Sequence, residues 1–159
     1  MAHALHGVGS MKRITDALEL LVAQHEVIED LIARTASATE AAEKMDVFAE
    51  LVDKLLAHAE VEEQLFFPVI HCSQTATLVD GAVGAHGAMR YILADMIDLD
   101  PMDGRFDLRL AALADLLAHQ SHDQGEELFP IVDRQLSGSE LAVLGQRISE
   151  RSFETLRAA

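Results

Sequence analysis

An all-α fold, an up-down-up-down four-helix bundle with a short extra helix at its C-terminus, follows from three observations on the 159-residue sequence. Apolar residues recur in steps of three and four over four long stretches, the period of a single helix face. Short polar stretches separate them, and short connections force neighbouring helices to run antiparallel. Half of the residues are apolar, with no Trp and only three Pro and nine Gly to interrupt them. Such an Ala- and Leu-rich mixture loses little entropy on becoming helical.

One domain with a proper core is the expectation for this length. Residues 1–11, with Gly7, Gly9 and Ser10 ahead of Met11, read as a leader or cloning remnant, which sets His3 and His6 aside. The bundle is placed at residues 12–136 and the C-terminal helix at 137–159. Helix one is predicted from Arg13 or Thr15 to Thr35, with Ile14, Leu18, Leu21, Ile28 and Ile32 as its stripe and His25 on the stripe's edge. Helix two is predicted from Met45 to Phe67, stopped by Pro68, whose ring removes a backbone hydrogen bond. Helix three runs from Ala76 to Asp98, with His86 central on a stripe of Leu78, Ala82, Met89, Leu93 and Met96. Gly81, Gly84 and Gly87 weaken it by up to about 1 kcal/mol each relative to Ala, a cost offset if close packing or a cofactor needs the space. Helix four is predicted from Phe106 to Gln135, and Ser137-Gly138-Ser139 caps a last helix from Glu140 with Leu141, Leu144 and Ile148 inward.

Charge and cysteine usage narrow the function classes. A formal net charge of −15 argues against nucleic acid or anionic membranes as partners, which need a basic surface. No apolar run reaches the roughly 18 residues that a membrane helix requires. Cys72 is the single cysteine, so there is no internal disulfide, and a reducing, cytoplasmic setting fits.

The chemistry concentrates in helix two. Leu51, Leu55, His58, Glu62, Leu65 and Val69 share one face at helical spacing, so an imidazole and a carboxylate point at the core. An unpaired buried charge costs several kcal/mol; hydrogen bonding between the two is one remedy, and a metal ion is another. His25 and His86 lie at matching depth in their helices, given the 1.5 Å rise per residue. Helix four repeats Leu-Leu-Ala-His at Leu116–His119 and also runs on to acidic residues and Leu-Phe-Pro. On that match His119 corresponds to His58 and Asp123 to Glu62. Pro130 is eleven residues after His119, whereas Pro68 is ten after His58. A perfectly regular helix four would instead turn Gln120 and Gln124 inward; a single-turn π-bulge absorbs the extra residue and keeps His119. His122 with Glu126 is the alternative pair.

The resulting set, His25, His58, Glu62, His86, His119 and Asp123, offers imidazole nitrogen and hard oxygen without thiolate. Mixed His/carboxylate bundle cores of this kind host two ions, and the ligands suit iron, manganese or zinc, with iron favoured by an open position. In this ordered pattern, and in Glu-Glu-Gln-Leu-Phe-Phe-Pro at residues 62–68, the chain resembles the hemerythrin-like, HHE cation-binding family from about Ile14 to Arg134. The resemblance implies a non-haem di-iron centre with two iron ions, oxo- or hydroxo-bridged, that binds, senses or reduces a small diatomic or peroxide ligand. The departure is Arg90, one turn after His86, where oxygen carriers of that family have a second His. Arginine has no lone pair to give, which leaves an open iron suited to peroxide or NO, or filled by His122 or Tyr91, with Arg90 free to steer an anion. A bundle holding a single structural metal, or a vestigial site, is the other reading.

Overall fold

The computed structural model describes residues 16–158, with side chains through residue 152; the segment 1–11, with His3 and His6, lies outside the described residues. Five helices make up the described chain: α1, Ala17–Ser37; α2, residues 41–70; α3, Ala76–Ile97; α4, residues 104–135; and α5, Gly138–Ala158. α1 packs on α2, α2 on α3, α3 on α4 and α4 back on α1, a closed four-helix bundle, and α5 lies across α1 and α2. Among the described residues, no helix is long and apolar enough to cross a membrane.

Local chemistry sets the ends. Asp16 accepts from the Glu19 N–H at 3.0 Å to start α1, and Asp103 accepts from the Arg105 N–H at 2.9 Å to start α4. Ser137 and Glu140 form a reciprocal capping box: the Glu140 N–H donates to Ser137 Oγ at 3.1 Å, and the Ser137 N–H to Glu140 Oε2 at 2.7 Å. That box starts α5 at Gly138 and the helix reaches 21 residues, as many as α1, rather than the short segment expected.

α2 does not stop at Pro68. Its α-helix Ala41–Val61 passes into a π-turn, Glu62–Phe66, and resumes at Phe67–Ile70, with the Phe67 N–H bonded to the Glu62 carbonyl. The π-turn leaves a carbonyl over, and Pro68, which has no N–H, follows it without loss. The inserted residue also rotates the helix face: Ile70 is buried in place of Val69, which is 45% exposed. α4 is built alike, with α-helix Gly104–Asp123, π-turn Gln124–Leu128 and Phe129–Gln135, and a Phe129 N–H bonded to the Gln124 carbonyl.

The described residues form two buried apolar clusters. One, with Leu21, Phe66, Phe67, Val79, Leu128 and Phe129, lies at the α5 end. The other, with Ile28, Leu51, Leu55, Met89, Leu113 and Leu117, fills the opposite end. Between them runs a layer of buried polar side chains: His58, Glu62, His86, Gln120 and Gln124. A polar layer inside a bundle is tolerated only when its members satisfy one another or a ligand.

Candidate metal centre

Three side chains converge in that layer. His25 on α1 and His58 and Glu62 on α2 each offer a donor atom, and the three atoms lie within 4.8 Å of one another. His25 Nε2 is 3.1 Å from His58 Nε2, His58 Nε2 is 3.3 Å from Glu62 Oε1, and His25 Nε2 is 3.9 Å from the same oxygen. Glu62 is fully buried, and its Oε1 accepts no hydrogen bond from the described residues.

The surroundings fix which atoms face the layer. His58 Nδ1 donates to Gln24 Oε1 at 2.7 Å, because an amide oxygen can only accept, and this bond turns the opposite nitrogen, Nε2, toward His25 and Glu62. Burial, with His58 close by, pulls the His25 imidazole down to about 4, so this ring is neutral at pH 7. Burial opposes the charge on Glu62, yet His58 and His86 outweigh it and hold the carboxyl well below the usual range. A neutral His25 imidazole and an ionised Glu62 carboxylate are the protonation states that a metal ion needs of them. Their spacing and the orphaned Glu62 Oε1 fit one cation.

His86 enters from α3. Its Nδ1 donates to Glu63 Oε1 at 2.8 Å, and its Nε2 lies 3.1 Å from Glu62 Oε2 and 2.8 Å from the Gln120 amide nitrogen. Burial disfavours its charge, but Glu62 and Glu63 prevail and raise its pKa. Glu63 is gripped in turn by Arg90, whose two guanidinium nitrogens reach its two oxygens at 2.9 and 3.1 Å. Arg90 is therefore a clamp on Glu63 rather than a free cation for steering anions. Tyr91, at 78% exposed, is turned away from the core.

A family model, the hemerythrin HHE cation-binding domain, matches residues 16–132. The chain belongs to this family. A crystal structure of a hemerythrin HHE cation-binding domain-containing protein from Mycobacterium kansasii superposes with a TM-score of 0.79 at 20% identity, over 89% of this chain and 87% of that one. That likeness concerns the fold. Among curated proteins, none matches by sequence.

The fourth helix of this HHE domain departs from the Leu-Leu-Ala-His register. α4 turns Gln120 and Gln124 inward, 7% and 2% exposed, and leaves His119 with its side chain 78% exposed, 3.3 Å from Asp123. His122 and Glu126 are exposed as well. The π-bulge invoked to bring His119 inward exists, but it begins at Gln124, after both His119 and Asp123, and α2 carries the same bulge at Glu62. Equal bulges cancel, so the register is set by the Phe-Pro endings: Pro68 and Pro130 are 62 residues apart, as are His58 and Gln120. The matching Leu-Leu-Ala-His runs are 61 apart and sit one residue out of step.

A cleft of about 300 Å³ opens between α3 and α4, walled by Leu78, Gly81, Ala82, Gln120 and Gln124 among others. A Cβ built at Gly81, Gly84 or Gly87 meets nothing within 4 Å, so close packing does not account for these glycines. Gln24, Glu63, Gln120 and Gln124 complete the polar layer; for Gln120 and Gln124 the counting from Pro130 is the sequence signal that finds them.

Proposed function

We propose that this HHE domain holds iron on His25, His58 and Glu62 and uses it to bind, sense or reduce a small ligand: dioxygen, peroxide or nitric oxide. The observation that carries the reading is the buried, unpartnered Glu62 Oε1 beside two imidazole nitrogens at 3.3 and 3.9 Å. Two His and one carboxylate, with no thiolate, are a donor set that suits ferrous iron. Iron bound there would supply one-electron chemistry and open positions for a small ligand.

The chain's own residues prepare that place. Gln24 holds the His58 ring so that its Nε2 faces Glu62. The apolar clusters on either side keep bulk water from the layer, which strengthens the attraction between Glu62 and any cation. Glu63, held by Arg90, fixes the orientation of His86 with one nitrogen toward Glu62. The α3–α4 cleft supports entry of a molecule of few atoms up to the Gln120 and Gln124 side chains.

Metal analysis and an optical spectrum of protein purified from iron-supplemented cells test the proposal. Iron in the wild type, its loss in His58→Ala, and a spectral change on adding peroxide or NO are expected. Protein that carries no iron, and whose melting temperature is the same with and without chelator, would favour a vestigial site closed by hydrogen bonds alone.

A further inference from the structure

We infer that the α3–α4 half of the polar layer is built to stay free of metal, Gln120 and Gln124 standing where His58 and Glu62 stand in the α1–α2 half, so that the centre holds one cation and not a bridged pair. This rests on the reading of His25, His58 and Glu62 as the metal site.

The two halves are related position by position. At a separation of 62 residues, Leu51 pairs with Leu113, Leu55 with Leu117, Phe66 with Leu128 and Phe67 with Phe129, all buried. At 61 residues, α1 pairs with α3: Leu21 with Ala82, His25 with His86, Ile28 with Met89 and Ile32 with Leu93, again all buried except the His25 edge. Each half thus presents one histidine from its first helix and two polar residues four apart, at the entrance to the π-turn, from its second. In the first half the pair is His and Glu. In the second it is Gln and Gln.

The amides engage the atoms that a second cation would need. Gln124 donates its amide N–H to Glu62 Oε2 at 3.0 Å; a carboxylate only accepts, so the nitrogen end is the one that faces it. The Gln120 amide lies 2.8 Å from His86 Nε2, and by turning over it can donate to a bare ring nitrogen or accept from a protonated one. His86 is already held on its other side by Glu63. Charge leads to the same conclusion. Among the described residues Glu62 is the one buried carboxylate, and Glu63 is neutralised by Arg90. One anion balances part of one divalent ion; two such ions in a layer between apolar clusters would leave several positive charges uncompensated, at a cost of several kcal/mol per ion. Neutral amides, by contrast, satisfy Glu62 and His86 without adding charge.

The test is a count of ions by anaerobic titration with Fe(II) and, separately, Co(II) on chelator-stripped full-length protein, followed by desalting and elemental analysis. Wild type is expected to retain one ion per chain, with the magnetic resonance signal of an isolated Co(II). Gln120→His/Gln124→Glu is expected to retain two, with the signal broadened or lost by coupling. His119→Ala, which removes the exposed imidazole, is expected to leave the wild-type count unchanged. Two ions in the wild type would overturn the inference, and so would a folded double variant that still holds one. If the double variant does not fold, the wild-type count and signal decide alone. No retained ion in the wild type would instead strike at the metal site itself and take the inference with it.

Discussion

The α1–α2 and α3–α4 hairpins share a scaffold and differ in their polar pair. Both bury Leu at the same two steps before the layer, both enter a π-turn at the second polar residue, and both leave it through Phe-Pro. One scaffold offers His and Glu at those steps and the other Gln and Gln. The scaffold supplies position, and the side chain at that position decides between holding a cation and closing a hydrogen bond.

Substitutions can break the comparison. Glu62→Gln makes the two halves alike at this step, and it is expected to lower metal affinity by more than the roughly 10–100-fold typical of an outer-shell change, as read by metal titration. The apolar positions should behave alike in both halves: Leu51→Ala and Leu113→Ala, both fully buried, are each expected to cost about 2–5 kcal/mol in denaturant unfolding. A loss confined to one of them would show the halves to be mechanically unequal.

Acid should separate the halves. His25 titrates at about 4 in the fold against 6.5 when free. Between those values the unfolded chain binds a proton that the fold does not, so metal-free stability falls as pH drops through that window, by about 3 kcal/mol. Glu62, held below its ordinary 4.5, adds to the loss only at more acid pH. His86, raised above 6.5, has the opposite sign: its contribution is complete below 6.5 and is lost as pH rises through its folded value. Urea midpoints of metal-free protein from pH 4 to 8 check both signs, and Gln24→Ala and His119→Ala complete the series at the small end. Freeing the His58 ring through Gln24→Ala should weaken metal binding about 10–100-fold. His119→Ala, on the solvent side of α4, should change stability by less than about 0.5 kcal/mol.

Much of this was legible in the sequence. The four apolar stripes marked the bundle, since helical period is a property of neighbouring residues and needs no knowledge of tertiary contacts. His25, His58, Glu62 and His86 could be found because each sits on such a stripe and the structure brings all four into one layer. Helix four misled because Leu and Ala are common enough for Leu116–His119 to repeat Leu55–His58 by composition, while the physical register was carried by Phe-Pro after each π-turn. A π-turn has no reliable sequence signature, so neither the continuation of α2 past Pro68 nor the outward turn of Val69 was visible. The pairing of Arg90 with Glu63 was missed for another reason: a clamp between helices is a matter of side-chain reach across space.

A crystal structure of protein loaded with Co(II) or Fe(II), with anomalous scattering collected at the metal edge, tests the central claim most directly. One peak per chain, within bonding distance of His25 Nε2, His58 Nε2 and a Glu62 oxygen, is the predicted result. A peak on His119 and Asp123, or a second peak beside Gln120 and Gln124, would contradict it.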